Sequence, residues 1–60
     1  RMYITTPVSN QRSLIKDVSY GTDCSASYTF TEQGYYKVEC YSRATSADTY
    51  NTSTFYILSV

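Results

Sequence analysis

Alternation of side-chain character over the middle of the chain is the feature that most constrains its fold. Over residues 24–31, Cys24 and the apolar or aromatic residues hold the even positions and hydroxyl residues hold the odd ones. Residues 35–43 alternate with the same parity. Successive side chains of a strand point to opposite faces, so a period of two predicts strands with one buried face. Gly34, at the end of the polar residues 32–34, suits a turn with positive φ. We therefore expect two strands joined by a tight turn.

Three further segments have strand chemistry: residues 2–5, 13–18 and 52–60. Pro7 predicts the end of the first, because proline has no N–H to donate to a ladder. In the second, Leu14 and either Ile15 or Val18 are the candidate inward residues. Tyrosine supplies 8 of the 60 residues and good helix formers never accumulate, so we expect essentially no helix. About five strands predict one small antiparallel β-sandwich domain over residues 1–60.

The two cysteines are placed so that a disulfide between them could stabilise this small core. Cys24 and Cys40 share the parity of the inward residues on either side of the turn. A disulfide between them would stabilise the domain by about 3 kcal/mol in the chain-entropy model and would imply an oxidising compartment. The alternative is two buried free thiols in a cytosolic protein. We predict the disulfide.

Composition argues against several classes of function. The chain has no histidine, which excludes histidine-dependent nucleophile systems and imidazole metal ligands, and its five carboxylates are dispersed. We therefore expect no enzyme, no metal and no cofactor. A formal net charge of zero disfavours nucleic acid as a partner. The apolar runs are far shorter than the roughly 20 residues that a membrane-spanning helix needs, so we expect no membrane insertion.

The stretch from Tyr28 to Cys40 has the pattern Tyr-x-Phe-x-x-x-Gly-x-Tyr-x-Val-x-Cys. This pattern resembles a signature of bacterial immunoglobulin-like and PKD-like modules. The resemblance implies an immunoglobulin-like sandwich in which Gly34 and Tyr36 define the turn, with the tyrosine hydroxyl returning to the backbone. Complete modules of this kind have about seven strands, so one or two N-terminal strands are expected to be missing. The chain has no Trp, so the core of antibody-type domains is excluded.

The same resemblance implies a non-catalytic module of an extracellular or cell-surface protein, serving as a spacer or as an adhesion or protein-interaction unit. Because the chain begins abruptly at Arg1, we expect it to be cut from a longer precursor. Asn51 begins an N-x-[ST] glycosylation pattern, which chance explains best in a chain so rich in serine and threonine.

Tyrosines on the outward parity suggest a binding surface. Tyr35, Lys37 and Tyr41 share the parity opposite to the core, and a flat row of tyrosines can stack on sugars or anchor a protein partner. The alternative function is therefore a carbohydrate-binding β-sandwich module of a secreted enzyme. Cross-strand packing of surface tyrosines is the simpler explanation of the same residues.

The closing segment, 52–60, is apolar on both parities. A symmetric connection to the preceding strand turns Tyr56 and Leu58 inward and leaves Phe55 and Ile57 outward, whereas a one-residue slip reverses the choice. We expect the outward pair to join the tyrosine surface as an apolar patch covered by a second copy or by an adjacent segment of the parent protein. The alternative is that one chain buries both faces by itself.

Overall fold

The strands form one antiparallel sheet whose spatial order differs from their order along the chain. A computed structural model describes residues 1–21 and 25–60. The strands are β1 (Met2–Thr5), β2 (Arg12–Lys16), β3 (Gly34–Ser42) and β4 (Asn51–Ser59), arranged in the order β2-β1-β3-β4. The described residues contain no helix, and so none long and apolar enough to cross a membrane. The prediction of an all-β, antiparallel chain is confirmed.

A polar turn connects β1 to β2. The Thr6 N–H donates to the Gln11 carbonyl at 3.1 Å, and the Gln11 N–H donates to the Thr6 hydroxyl at 3.0 Å. Asn10 has a φ of 55°, a conformation that asparagine adopts more readily than most residues. Pro7 lies just beyond β1, and the predicted first strand is confirmed.

The register of β1 with β2 decides which residues of β2 turn inward. Ser13 lies opposite the buried Ile4 and Leu14 lies opposite Tyr3, so Ile15 shares the core side with Ser13. Ile15 packs against the core, whereas Leu14 is exposed and Val18 lies beyond the strand. The prediction that Leu14 faces inward is therefore wrong, because alternation separates the two faces of a strand without deciding which of them meets the core. The register shifts by a bulge only beyond this point, between Met2 and Tyr3.

The core lies on one face of the two central strands, which we call the inner face. Ile4 of β1 and Val38 of β3 are register partners, and both are buried together with Tyr36. Three further side chains pack against this cluster: Met2, Ile15 and Cys40. Since β1 and β3 each have a neighbouring strand on both sides, side chains of those neighbours flank their inner-face residues and keep solvent away from them.

The strand expected over residues 24–31 does not belong to the sheet. Residues 25–31 pair with no strand, so the sheet has four strands and the predicted fifth is absent from it. The ring of Phe30 nevertheless lies 4.7 Å from that of Tyr36, and the ring of Tyr28 lies 5.9 Å from it, centroid to centroid. Alternation correctly placed these aromatic side chains, because side-chain direction depends on extended backbone and not on ladder hydrogen bonds.

The facing of β4 is the reverse of the one expected from a symmetric connection. Ile57 lies opposite Tyr36 and Phe55 lies opposite Val38, so both share the inner face. Tyr56 and Leu58 share the outer face. The connection over residues 43–50 holds an even number of residues, which pairs even positions of β3 with odd positions of β4.

Candidate functional site

The structure divides the binding surface that the sequence predicted between two faces of the sheet. Tyr35, Lys37 and Tyr41 lie on the outer face, opposite to the core. Phe55 and Ile57 lie on the inner face, because of the register of β4. The expectation of one surface containing all five residues is therefore wrong. Two separate candidate surfaces replace it.

In the turn before β3, the Tyr36 side chain bonds back to the backbone just upstream. The Tyr36 hydroxyl accepts hydrogen bonds from the N–H groups of Thr31 at 3.1 Å and Glu32 at 2.8 Å. Gly34 has a φ of 127°, and a Cβ at this position would lie 2.9 Å from the Cβ of Pro7. Glycine is needed there for two reasons, the positive φ and the close approach of the proline ring.

Four side chains on the outer face form a connected group, which we call the outer cluster: Tyr3, Arg12, Glu39 and Tyr41. The Arg12 guanidinium lies over the Tyr3 ring, 3.8 Å from its centroid, and Arg12 Nε donates to Glu39 Oε1 at 3.0 Å. The Tyr41 hydroxyl donates to Glu39 Oε2 at 2.9 Å, and its ring meets Tyr3 edge-on. Each side chain of the cluster is thus fixed by at least two others.

A cleft of about 170 Å³, which we call the arginine–tyrosine cleft, opens beside this cluster. Its lining residues are Arg1, Tyr3, Arg12, Tyr41 and Tyr50. The Tyr41 N–H donates to the Arg1 carbonyl at 2.8 Å, and Arg1 Nε donates to Asp17 at 3.2 Å. The backbone of Arg1 therefore continues the pairing of β1 with β3, and its side chain has a fixed partner at the rim.

Tyr50 reaches the cleft from the connection between β3 and β4. The Arg43 guanidinium lies over its ring, 4.6 Å from the centroid. Arg43 is itself fixed by donating to the backbone carbonyls of Ser19 at 3.3 Å and Ser46 at 3.1 Å. Two of the three tyrosine rings of the cleft thus carry an arginine on one face.

Electrostatics in the outer cluster keep its acidic residue charged. The hydrogen bond from Arg12, and then that from Tyr41, hold the pKa of Glu39 below its usual range. Glu39 in turn raises the pKa of Arg12 and of the Tyr41 hydroxyl. A carboxylate that acts as a general acid needs the opposite shift. Glu39 is accordingly suited to organising its neighbours.

Glu32 has a similar organising role between two turns. Its Oε1 accepts from the N–H groups of Val8 at 2.9 Å and Ser9 at 3.2 Å, and its Oε2 accepts from the Ser9 hydroxyl at 2.7 Å. The hydrogen bond from the Ser9 hydroxyl is the main cause that lowers the pKa of Glu32. This carboxylate ties the turn after β1 to the turn before β3.

The second candidate surface is a hollow of about 400 Å³ on the inner face. Its lining residues are Met2, Ile4, Ile15, Ser25, Ala26, Tyr28, Phe30, Val38, Phe55 and Ile57. The aromatic segment 25–31 covers part of the sheet here, but Phe55 remains 44% exposed and Ile57 36% exposed. We call this region the inner hollow.

The cysteine pairing stays a prediction. Cys40 is partly buried against the core, on the face that its parity predicted. Its expected partner, Cys24, lies outside the described residues. Within residues 1–21 and 25–60, no three His, Cys, Asp or Glu side chains form a group that could hold a metal ion.

The sequence reasoning missed several residues of the arginine–tyrosine cleft. Tyr3 and Tyr41 meet because β1 and β3 are neighbours in the sheet, and Arg12 joins them across β2. The odd parity shared by Tyr3 and Tyr41 was a usable signal once those strands were known to pair. Tyr50 belongs to the polar connection between β3 and β4, where no alternation of side chains indicates which way its ring points.

Comparison with known proteins adds no relative from which the role of either surface could be transferred. No protein-family model, no curated protein and no solved structure matches the chain. Function is therefore inferred from the geometry of the outer cluster, the cleft and the inner hollow.

Proposed function

We propose that the chain is a non-catalytic immunoglobulin-like module of an extracellular or cell-surface protein, acting as a spacer or as an adhesion or protein-interaction unit. The turn at Gly34 and Tyr36 supports the family resemblance, since the hydroxyl bonds to the backbone just upstream as in a tyrosine corner. Glu32 and Glu39 both accept structural hydrogen bonds and have lowered pKa values, which supports a non-catalytic role for these two carboxylates.

The incompletely covered inner face carries the proposal of an interaction unit. A β-sandwich buries the inner faces of two sheets against each other, about 10 Å apart. Here, among the described residues, the segment 25–31 covers part of the inner face, and Phe55 and Ile57 stay partly exposed at the inner hollow. A second layer from an adjacent segment of the parent protein, or from a second copy, would complete the core.

Two samples test this proposal: the chain alone, and the chain extended by the upstream sequence of its parent protein. Sedimentation and thermal melts are measured on both. We expect either self-association at micromolar concentration or a marked gain in thermal stability from the attached segment. The double variant Phe55→Ser, Ile57→Ser should abolish whichever effect occurs, because it removes the inner-face contacts. The matched outer-face variant Tyr56→Ser, Leu58→Ser should retain it. A strict monomer that gains no stability from its neighbour would contradict the interaction role.

A second candidate function is a carbohydrate-binding β-sandwich module of a secreted enzyme. Exposed tyrosines on the outer face favour it, since Tyr35 is 63% and Tyr56 62% exposed and the two lie at adjacent register positions. Flat aromatic surfaces of this kind stack on sugar rings. The arginine–tyrosine cleft adds charged donors on the same face.

Glycan-array screening tests this second function. The parent chain should bind at least one glycan, and the double variant Tyr35→Ala, Tyr41→Ala should lose that binding. Because Tyr41 also holds Glu39, the variant Tyr35→Ala, Tyr56→Ala is the better test of stacking alone. Phe55→Ser on the opposite face is the control and should leave glycan binding unchanged. No binding by the parent chain would rule this function out.

A further inference from the structure

We propose that the arginine–tyrosine cleft binds the carboxylate of an acidic sugar, such as a uronic acid within a glycan. The inference deepens the carbohydrate-binding function and rests on it. It specifies both the class of sugar and the site, which lies away from the Tyr35 and Tyr56 surface.

The charges around the cleft favour an anionic ligand. Three of the five basic residues of the chain, Arg1, Arg12 and Arg43, lie in or beside it. Two carboxylates lie beside the first two of these arginines and are already engaged: Asp17 by Arg1, and Glu39 by Arg12 and Tyr41. Among the described residues, the lining itself contains Arg1 and Arg12 and no carboxylate.

The orientation of Arg12 suits a carboxylate in particular. Its bond to Glu39 is donated by Nε, and its stacking on Tyr3 holds the guanidinium plane in place. Within residues 1–21 and 25–60 the only direct hydrogen bond of the Arg12 side chain is the one from Nε, and the Tyr41 hydroxyl lies close to the same guanidinium. The terminal nitrogens Nη1 and Nη2 form a fork that can bind the two oxygens of a carboxylate together. Less rotational freedom is lost on binding, because the side chain is already ordered.

The size and lining of the cleft suit one ring. The cleft has a volume of about 170 Å³, which is the volume that roughly six water molecules occupy in liquid water. This space is enough for one sugar residue but not for several side chains of a bound peptide. Tyr50 is 44% exposed, so part of its ring is open to the C–H groups of a sugar. An acidic peptide could use the arginines but would gain less from the tyrosine.

The binding test compares two trisaccharides of the same length, one of galacturonic acid and one of galactose, by calorimetry at neutral pH and low salt. We expect the acidic trisaccharide to bind more tightly, and Arg12→Gln to lower its affinity by roughly 10- to 100-fold. Arg12→Lys should recover little of that loss, because a lysine keeps the charge and lacks the fork. Lys37→Gln is the matched control, since it removes one positive charge from the same face outside the cleft and should change affinity less than about twofold.

Four outcomes would overturn the inference. Equal affinity for the galactose trisaccharide would leave the carbohydrate-binding function standing without a preference for acid, whereas no binding of either sugar would remove both. An equal loss in Lys37→Gln would indicate attraction by net charge alone. A glutamate tripeptide that binds as tightly, with the same dependence on Arg12, would indicate a peptide site. Thermal melts check that each variant is folded. If Arg12→Gln unfolds the chain, Tyr50→Ala replaces it as the test variant, because Tyr50 lies outside the strands.

Discussion

The two nine-residue strands, β3 and β4, have the same length and pair along their whole extent, yet they differ completely in burial. β3 buries Tyr36 and Val38 at 0% and 3% exposure. Their register partners on β4, Ile57 and Phe55, remain about a third or more exposed. The apolar character of the two strands is similar, so hydrophobicity does not explain the difference.

Position in the sheet explains it. β3 lies between β1 and β4, and the aromatic segment 25–31 covers its inner face. In the described part of the chain, β4 is an edge strand with β3 as its one neighbour. It has no charged residue and no proline, the residues that commonly prevent an edge strand from pairing with another chain. The opposite edge, β2, is short, pairs through a bulge and bears Arg12 and Lys16. β2 is thus protected at its edge and β4 is not, and the proposed second layer would cover the inner-face side chains of β4, Phe55 and Ile57.

The largest expected effect compares two isoleucines, one central and one at the open edge. Ile4 is 1% exposed, so Ile4→Ala should lower the free energy of unfolding by about 2–5 kcal/mol, measured by urea denaturation. Ile57 is 36% exposed, and Ile57→Ala should cost less than half as much in a dilute sample. Equal losses would mean that β4 is covered in solution, and repeating the measurement at high protein concentration would identify a second copy as the cover.

The next prediction concerns the glycine that begins β3. Gly34→Ala should lower stability by about 2–4 kcal/mol, because alanine is strained at positive φ and its Cβ would clash with Pro7. Gly21 is the control, since its φ is 136° but no atom of the described residues lies within 4 Å of a Cβ built there. Gly21→Ala should therefore show the strain alone. Identical melting temperatures for the two variants would argue against the approach of Pro7 to β3.

A smaller effect separates the two faces of β3 at neighbouring tyrosines. Tyr36→Phe removes the acceptor for the N–H groups of Thr31 and Glu32 and should cost about 1–2 kcal/mol. Tyr35 is exposed on the outer face, and Tyr35→Phe should leave the melting temperature nearly unchanged. Sensitivity at Tyr35 equal to that at Tyr36 would indicate that the outer face of β3 is also covered.

The smallest expected effect is the dependence of stability on acid. The pKa values of Glu32 and Glu39 are lower in the folded chain than in the unfolded one, so the unfolded chain binds more protons at moderately acidic pH. Their contribution is complete above the unfolded pKa of glutamate and is lost as pH falls through the lowered, folded values. Melting temperature should thus fall on acidification from about pH 6 to about pH 3, and less steeply in Glu39→Gln. An unchanged slope in that variant would show that Arg12 and Tyr41 do not hold Glu39 in solution.

Several elements of the fold could be predicted from local residues. Pro7 marks the end of β1, the positive φ at Gly34 follows from turn chemistry, and the alternation at Tyr28 and Phe30 gives the face that these rings present. Each of these features depends on a residue's own backbone preferences or on its immediate neighbours. The charge of β3 and the absence of charge from β4 are likewise visible in the sequence.

By itself, the sequence determined an all-β chain, the turn at Gly34 and the inward parity of residues 25–31 and of β3, because those follow from φ preferences and from the two-residue period of extended backbone. Tertiary structure alone decided that residues 25–31 cover a face without joining the ladder, and that Phe55 and Ile57 turn inward. It also brought Arg12 over Tyr3 and Tyr50 beside them. These features depend on strand order, on strand register and on whether a connection has an even number of residues. Such long-range pairings are decided by the free energy of the whole sheet, which no single segment determines.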